Sequence, residues 1–129
     1  MRISRKADYA LRAMSYMANQ PDGKRSSISE IAENEAIPRD FLAKILKELT
    51  GKGLLKSYQG VTGGYQLAKR KSEITFLQII EAMNDKIKVS LYVDKKGAPL
   101  QLFWSELQDT LIKTFQGVTL DNSRYVLRK

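Results

Sequence analysis

Basic side chains and bare peptide groups are the chemistry this chain offers. Arg2, Arg5, Lys47 and Lys56 are phosphate-pairing candidates on side-chain chemistry alone. A second polar set is Gln59-Gly60-Val61-Thr62-Gly63-Gly64, with three glycines in five residues. Glycine loses the most backbone freedom on folding, so this cluster implies a sharp turn or a close approach to something. Other chemistries are closed. The chain has no Cys and no His, which removes disulfides, thiolate nucleophiles, imidazole bases, His-ligated haem and the usual zinc ligands. No acidic cluster has the spacing of a calcium loop. Asp, Glu, Lys and Tyr can serve in acid–base catalysis, but no pair of them stands apart from surface and capping roles. Neither an enzyme nor a metal or other cofactor is expected.

The charge is unevenly placed. The net charge is +8; residues 1–72 hold 14 Lys/Arg against 7 Asp/Glu, and residues 73–129 hold 8 against 7. A polyanion partner is therefore expected on the N-terminal half; solubility alone is the other reading of such an excess. With 129 residues, 43% hydrophobic and 28% charged, the chain suits one soluble domain with a core of useful size. No apolar stretch is long enough to span a membrane. The start, Met1 to Asp8, is basic with no apolar run behind it, so no signal peptide is read and the cytoplasm is the expected location.

Several elements must position these groups. Ile3, Ala7, Ala10, Leu11, Met14, Met17 and Ala18 recur at helical spacing, with Ser4 as N-cap. Ser27 and Glu30 form a capping-box pattern that opens a second helix, about Ile28 to Glu35. Pro38 stands as first residue of a third, whose apolar face is Phe41, Leu42, Ile45, Leu46 and Leu49. Its other face carries Arg39, Asp40, Ala43, Lys44 and Lys47. Leu54–Tyr58 and Tyr65–Ala68 read as antiparallel strands around the glycine-rich tip. Helix-turn-helix followed at once by a hairpin is the order of a winged-helix domain. A wing tip gains from bare N–H groups near a phosphate backbone or in a minor groove; a turn that needs glycine for its own geometry is the alternative.

Thr75 and Gln78 form another capping box, opening a helix to about Asn84 with Phe76, Ile79, Ile80 and Met83 buried. Residues 85–98 read as irregular, with Lys88 to Val93 extended. Pro99 starts a long helix to about Gln116, striped by Leu100, Phe103, Trp104, Leu107, Leu111 and Phe115 beside Ile112. So wide a stripe outside a complete small domain is expected to pack on a second copy; folding back onto its own domain is the alternative. The expected fold is mainly α with a small β-hairpin. Residues 1–84 form the winged helix-turn-helix domain, 85–98 an irregular sensor-type loop, and 99–129 the dimerisation helix and tail.

Over nearly its whole length the chain resembles the small bacterial winged-helix repressors whose best-known members sense iron–sulfur clusters, nitric oxide or cysteine supply. The matching residues are SRKADYAL from Ser4 to Leu11, Ser29-Glu30-Ile31-Ala32, Ile37-Pro38, and Phe41 to Leu46 with Leu49. The match continues through Gly53-Leu54-Leu55, Ser57, Gly60, Gly63-Gly64-Tyr65, Leu67-Ala68, Thr75 to Ile80, Trp104 and Val118-Thr119-Leu120. The pairing of FLAKIL-x-x-L with the glycine-rich wing is its most specific part. The resemblance implies a homodimer on a roughly palindromic double-stranded DNA operator, with the third helix in the major groove and the wing in the minor groove. Carried over by position, the reading helix presents Pro38, Arg39, Asp40, Ala43 and Lys44, with Ser27 ahead of it, and the wing presents Gln59, Gly60, Val61, Thr62, Gly63 and Gly64. Arg39 and Lys44 can donate to guanine edges or phosphates. Gln59 stands where many relatives carry Arg, which weakens minor-groove reading by charge.

The sensor departs from the pattern. Cluster-binding relatives carry three cysteines in the stretch that corresponds to Asp85–Leu102, and here there are none. Ala98 stands at one ligand position, six residues before Trp104, and is either natural or an engineered Cys→Ala change. Lys and Tyr in the surrounding loop argue for a naturally cysteine-free member. Asp8 matches a carboxylate ligand position of some nitric-oxide-sensing relatives, but one carboxylate cannot hold a cluster, so none is expected. An unidentified small-molecule or protein effector is expected near Asp8, Tyr92 and Trp104; aromatic core is the other reading of the last two. The competing function is a winged-helix module that docks a metabolic enzyme, which Gln59 and the acidic Asp40 favour and the N-terminal charge excess opposes.

Overall fold

The computed structural model describes residues 2–128 except Asp85, Leu91, Tyr92 and Asp94. The order is α1 (Arg5–Ala18), α2 (Ile28–Glu35), α3 (Arg39–Gly51), β1 (Leu55–Tyr58), β2 (Gly64–Leu67), a 3-10 turn (Lys71–Glu73), α4 (Phe76–Ala82) and α5 (Gln101–Gln116). Ser4 Oγ accepts from the Ala7 N–H at 3.0 Å and starts α1. The buried face of that helix is Ala7, Ala10, Ala13, Met14, Met17 and Ala18. Its alanines let the neighbouring helices approach closely. Around it, Leu42, Ile45, Leu46 and Leu49 of α3 and Ile79 and Ile80 of α4 complete the core.

At α2 the capping box is only half made. Ser27 Oγ accepts from the Glu30 N–H at 3.1 Å, but the Glu30 carboxylate does not return to the cap. It accepts instead from the Tyr16 hydroxyl at 2.5 Å and from Lys24 Nζ at 2.7 Å. The charge-assisted bond from Lys24 outcompetes a neutral backbone N–H. The box at α4 is complete, with Gln78 N–H to Thr75 Oγ1 at 3.1 Å and Thr75 N–H to Gln78 Oε1 at 2.9 Å.

Three other expectations are corrected. Pro38 caps α3 rather than opening it, because its ψ of 128° is extended. Phe41 is not core: it sits at the edge of the buried face, 37% exposed, with its ring edge-on to Tyr9 at 5.5 Å. Pro99 does not begin α5. Leu100 adopts a left-handed φ of 62°, which a right-handed helix cannot contain, so the helix starts at Gln101. Within the stretch expected to be irregular, Lys88 and Ser90 have no regular structure, Val89 is in a bend and Val93 in a turn; among the described residues one sheet pairs β1 with β2, and Leu91 and Tyr92 lie outside the described residues.

The hairpin pairs Leu55 with Leu67 through to Tyr58 with Gly64. A bridge between Ser26 and Tyr65, with N–H···O bonds of 2.8 and 2.9 Å, ties it to the loop before α2. The tail after α5 returns to the same core. Phe76 N–H donates to Val118 O at 2.8 Å, and Leu120 N–H to Ile74 O at 3.0 Å. Asn19 Nδ2 then donates to Val126 O at 2.8 Å, and Arg128 N–H to Asn19 Oδ1 at 2.7 Å. Leu120 and Val126 are buried there.

Candidate nucleic-acid interface

The turn between α2 and α3 closes because Ala36 takes a left-handed φ of 52°, which carries Ile37 N–H onto Ala32 O at 3.1 Å. Ile37 and the α3 apolar face are buried, which turns Pro38, Arg39, Asp40, Ala43, Lys44 and Lys47 out to solvent. Arg39 and Lys47 stand about 12 Å apart along the helix axis at the α-helical rise. A helix about 10–12 Å in diameter fits a major groove roughly 12 Å wide. The ion pairs of the described residues engage Lys6, Arg12, Lys24 and Arg70. Arg39, Lys44, Lys47 and Lys56 therefore face solvent with no carboxylate of the described residues held against them. Glu48, the second acid of α3, is taken up by Lys6 at 2.6 Å. Asp40 remains as the one acidic group among the exposed basic ones.

The wing answers why glycine recurs at its tip. Gly63 N–H donates to Gly60 O at 3.0 Å, and Gly60 has a φ of +92°. A Cβ on Gly63 would lie 2.3 Å from Tyr58 O, and one on Gly64, at φ +138°, would lie 2.7 Å from Ser26 O. The turn's own geometry requires these glycines. The same turn leaves Val61 at its apex fully exposed, with Gln59, Gly60 and Thr62 open to solvent and Gly63 and Gly64 half-buried.

Arg25 braces the wing, and the sequence reading did not find it. Its guanidinium lies 3.6 Å from the centre of the Tyr58 ring and donates to Thr62 O at 3.4 Å. Tyr58 Oη in turn accepts from Gln66 Nε2 at 2.8 Å. Ser27, expected on the DNA side, is exposed, but its oxygen already serves as the α2 cap.

Behind the interface, Tyr16, Glu30 and Lys24 tie α1 to α2. Burial and the Glu30 carboxylate push the Tyr16 phenol up to about 12. Burial also pushes Glu30 up, but the hydrogen bonds from Lys24 and Tyr16 outweigh it and hold the carboxylate below its ordinary range.

Of the residues expected near an effector, Asp8 and Trp104 have different surroundings. Asp8 lies 3.8 Å from Arg12, in a groove with Arg2, Arg5, Tyr9 and Phe41. Trp104 stacks edge-on against Phe103 at 5.0 Å, and Tyr92 lies outside the described residues. On α5 no residue is buried. Leu100 is 68% and Phe103 54% exposed; Trp104, Leu107, Leu111 and Phe115 are half-buried, and Phe115 rests on the core. Leu102, outside the expected stripe, is 73% exposed.

A helix-turn-helix with an exposed basic helix and a braced wing defines a winged-helix transcriptional regulator. Residues 3–122 match the Rrf2 family of iron-dependent transcriptional regulators, and the chain belongs to that family. It is 31% identical to a candidate HTH-type transcriptional regulator of Synechocystis sp., over 99% of this chain and 90% of that one. It is 35% identical to another from Aquifex aeolicus, over 87% of this chain and 83% of its relative. The structure of CymR, the global cysteine regulator of B. subtilis, superposes with a TM-score of 0.83 at 28% identity, covering 94% of each chain. The chain is thus a regulator and not an enzyme.

The iron in the family's description, and the clusters of some relatives, find no donor set here. The chain has no cysteine or histidine, and among the described residues no three of His, Cys, Asp and Glu gather into a metal-binding group. Ala98 offers only a methyl group, and Asp8 has Arg12 beside it. These residues do not fit an iron–sulfur cluster.

Proposed function

We propose that this protein is a sequence-specific repressor that binds a palindromic double-stranded DNA operator as a homodimer, without an iron–sulfur cluster. The observation that carries the reading is the outward face of α3, where Arg39, Lys44 and Lys47 have no carboxylate of the described residues held against them, beside a wing braced by Arg25. Arg39 and Lys44 donate to base edges or phosphates, the backbone N–H groups of residues 59–64 meet the sugar–phosphate chain, and Arg2, Arg5, Lys47 and Lys56 neutralise phosphates. The exposed Leu102 and Phe103 of α5, with Leu100 at its cap, support pairing with a second copy through that helix. In this reading residues 1–84 are the DNA-binding unit, 85–98 the sensor segment and 99–129 the dimerisation helix and tail. Among the described residues no helix is long and apolar enough to cross a membrane, and the cytoplasm, where the DNA is, is the proposed location.

The test is selection of bound fragments from a random DNA pool by the purified protein at two salt concentrations. An enriched palindrome of two half-sites, bound more weakly at higher salt as counterions are released, is the expected result. Binding with no enriched sequence refutes specificity. The exposed Asp40 on the reading face favours one other reading, a winged-helix module that docks a metabolic enzyme. Lys44→Glu separates the two, because it abolishes operator binding by a DNA reader and leaves an interface elsewhere intact.

A further inference from the structure

The start of α1, the end of α4, residues 86–88 and the second half of α5 surround a cavity of about 270 Å³. Its floor is apolar: Ile3, Ile80, Ile87, Leu111 and Phe115. Its rim carries Arg2, Lys86 and Lys88, and among the described residues no carboxylate lines it. Arg2 and Lys86 are exposed and take part in no ion pair among the described residues. Ser4, the cap of α1, also lines it, so the positive end of that helix's dipole adds to the same field.

A floor of that composition is satisfied by an apolar body, and a rim of that charge by an anion. An inorganic anion leaves the floor wet, and a neutral molecule leaves Arg2 and Lys86 unused. We propose that this cavity is a binding site for a small organic anion, a carboxylate carrying an apolar chain or ring. The volume, about 270 Å³, lies just below the usual range of ligand pockets, roughly 300 to 1,000 Å³, which suits a small ligand. The site is distinct from the exposed end of α5, because Leu111 lies about 12 Å along the helix from Phe103 at the α-helical rise. Val89 N–H donates to Gln108 Oε1 at 3.3 Å, which holds the 86–88 side of the cavity against α5. A bound carboxylate therefore bridges α5 to the first helix of the winged-helix unit.

The test is calorimetric titration of the full chain with octanoate, 1-octanol and inorganic phosphate, with no DNA present, so its outcome is independent of the DNA-binding reading. Octanoate is expected to saturate one site per chain and to bind at least tenfold more tightly than either other probe. Lys86→Glu weakens octanoate at least fivefold, whereas Lys113→Glu, on the exposed surface of α5, leaves it unchanged. Leu111→Trp fills the cavity and abolishes binding; if that variant fails to fold, the Lys86 and Lys113 pair decides alone. The proposal is overturned by absent saturation, by equal affinity for octanol, or by equal losses at Lys86 and Lys113. It is also overturned if Leu111→Trp alters the sedimentation of the protein but not its octanoate affinity, since the floor is then a contact between copies.

Discussion

Replacing Gly64 with Ala tests whether the wing's glycines serve its own geometry. A residue held in a sparsely populated backbone region costs about 1–3 kcal/mol, and Gly64 has a φ of +138°. The new Cβ also lies 2.7 Å from Ser26 O, a backbone atom that cannot swing aside as a side chain would. Relieving that contact pulls apart the reciprocal Ser26–Tyr65 bonds of 2.8 and 2.9 Å. Each such bond is worth about 1 kcal/mol net. The strain and the two bonds together place the loss at about 3–5 kcal/mol, a large share of a typical total of roughly 5–15 kcal/mol. Gly23→Ala is the control. It has a φ of +80° but nothing within 4 Å of a new Cβ, so only the lower part of the strain, about 1 kcal/mol, applies. Urea unfolding followed by circular dichroism measures both. A Gly64→Ala loss within about 0.5 kcal/mol of the Gly23→Ala loss, the usual scatter of surface substitutions, refutes the argument that backbone contact with Ser26 sets the cost.

Other outcomes are expected on the same physical grounds. Arg39→Ala costs about 1–3 kcal/mol of operator binding and relaxes base preference, if the side chain reads a base edge; fluorescence anisotropy on the selected operator and on single-base variants checks this. Leu46→Ala, at a fully buried position of α3, costs about 2–5 kcal/mol in urea unfolding. The raised pKa of Tyr16 gives stability that is fully present below its ordinary value of 10.0 and is lost as the pH rises through about 12. Glu30 contributes in the opposite direction, with stability present above its ordinary 4.5 and lost as the pH falls through its lowered value. Tyr16→Phe flattens the alkaline limb of a melting-temperature profile and leaves part of the acid limb. If α5 pairs two copies as proposed, Phe103→Glu, which places a charge on the exposed end of that helix, shifts sedimentation from dimer to monomer, while the melting transition of the winged-helix unit persists.

What could be read in the sequence follows the range of the forces involved. The limits of α2 and the start of α1 were legible because Ser27 and Ser4 cap through the chain three residues on. The hairpin was legible within a residue because glycine marks both sides of its turn. Phe41 was misplaced because periodicity assigns a residue to a stripe, but only packing shows whether the stripe's edge is covered. Leu100 was misread because no local signal marks a non-glycine residue in the left-handed region. Arg25 was missed for a different reason. Its partners, Tyr58 and Thr62, are distant in the chain, and only the Ser26–Tyr65 bridge brings them beside it. The return of the tail was visible only as matching residues at Val118 to Leu120. Its physical basis, Asn19 donating to Val126 and accepting from Arg128, spans almost the whole chain.

These long-range contacts constrain how a signal can act. α1 packs on α2, α3, α4 and β2. Its middle is bonded to α2 through Tyr16 and Glu30, and its end to the tail through Asn19. Close-packed interiors do not deform continuously. α3 and the wing therefore move with α1 as one body, and the tail moves with them. The freer part is α5, which has no buried residue and meets the rest of the described structure chiefly at α4. A signal that leaves the core intact acts by changing how α5 sits on that body. In a dimer built through α5, a change of angle there alters the separation of the two α3 helices. That separation must match the half-site spacing of the DNA, about 34–36 Å for sites one turn apart. In the proposed dimer, small rotations at a lightly packed helix thus become large differences in operator affinity, with no rearrangement inside either winged-helix unit.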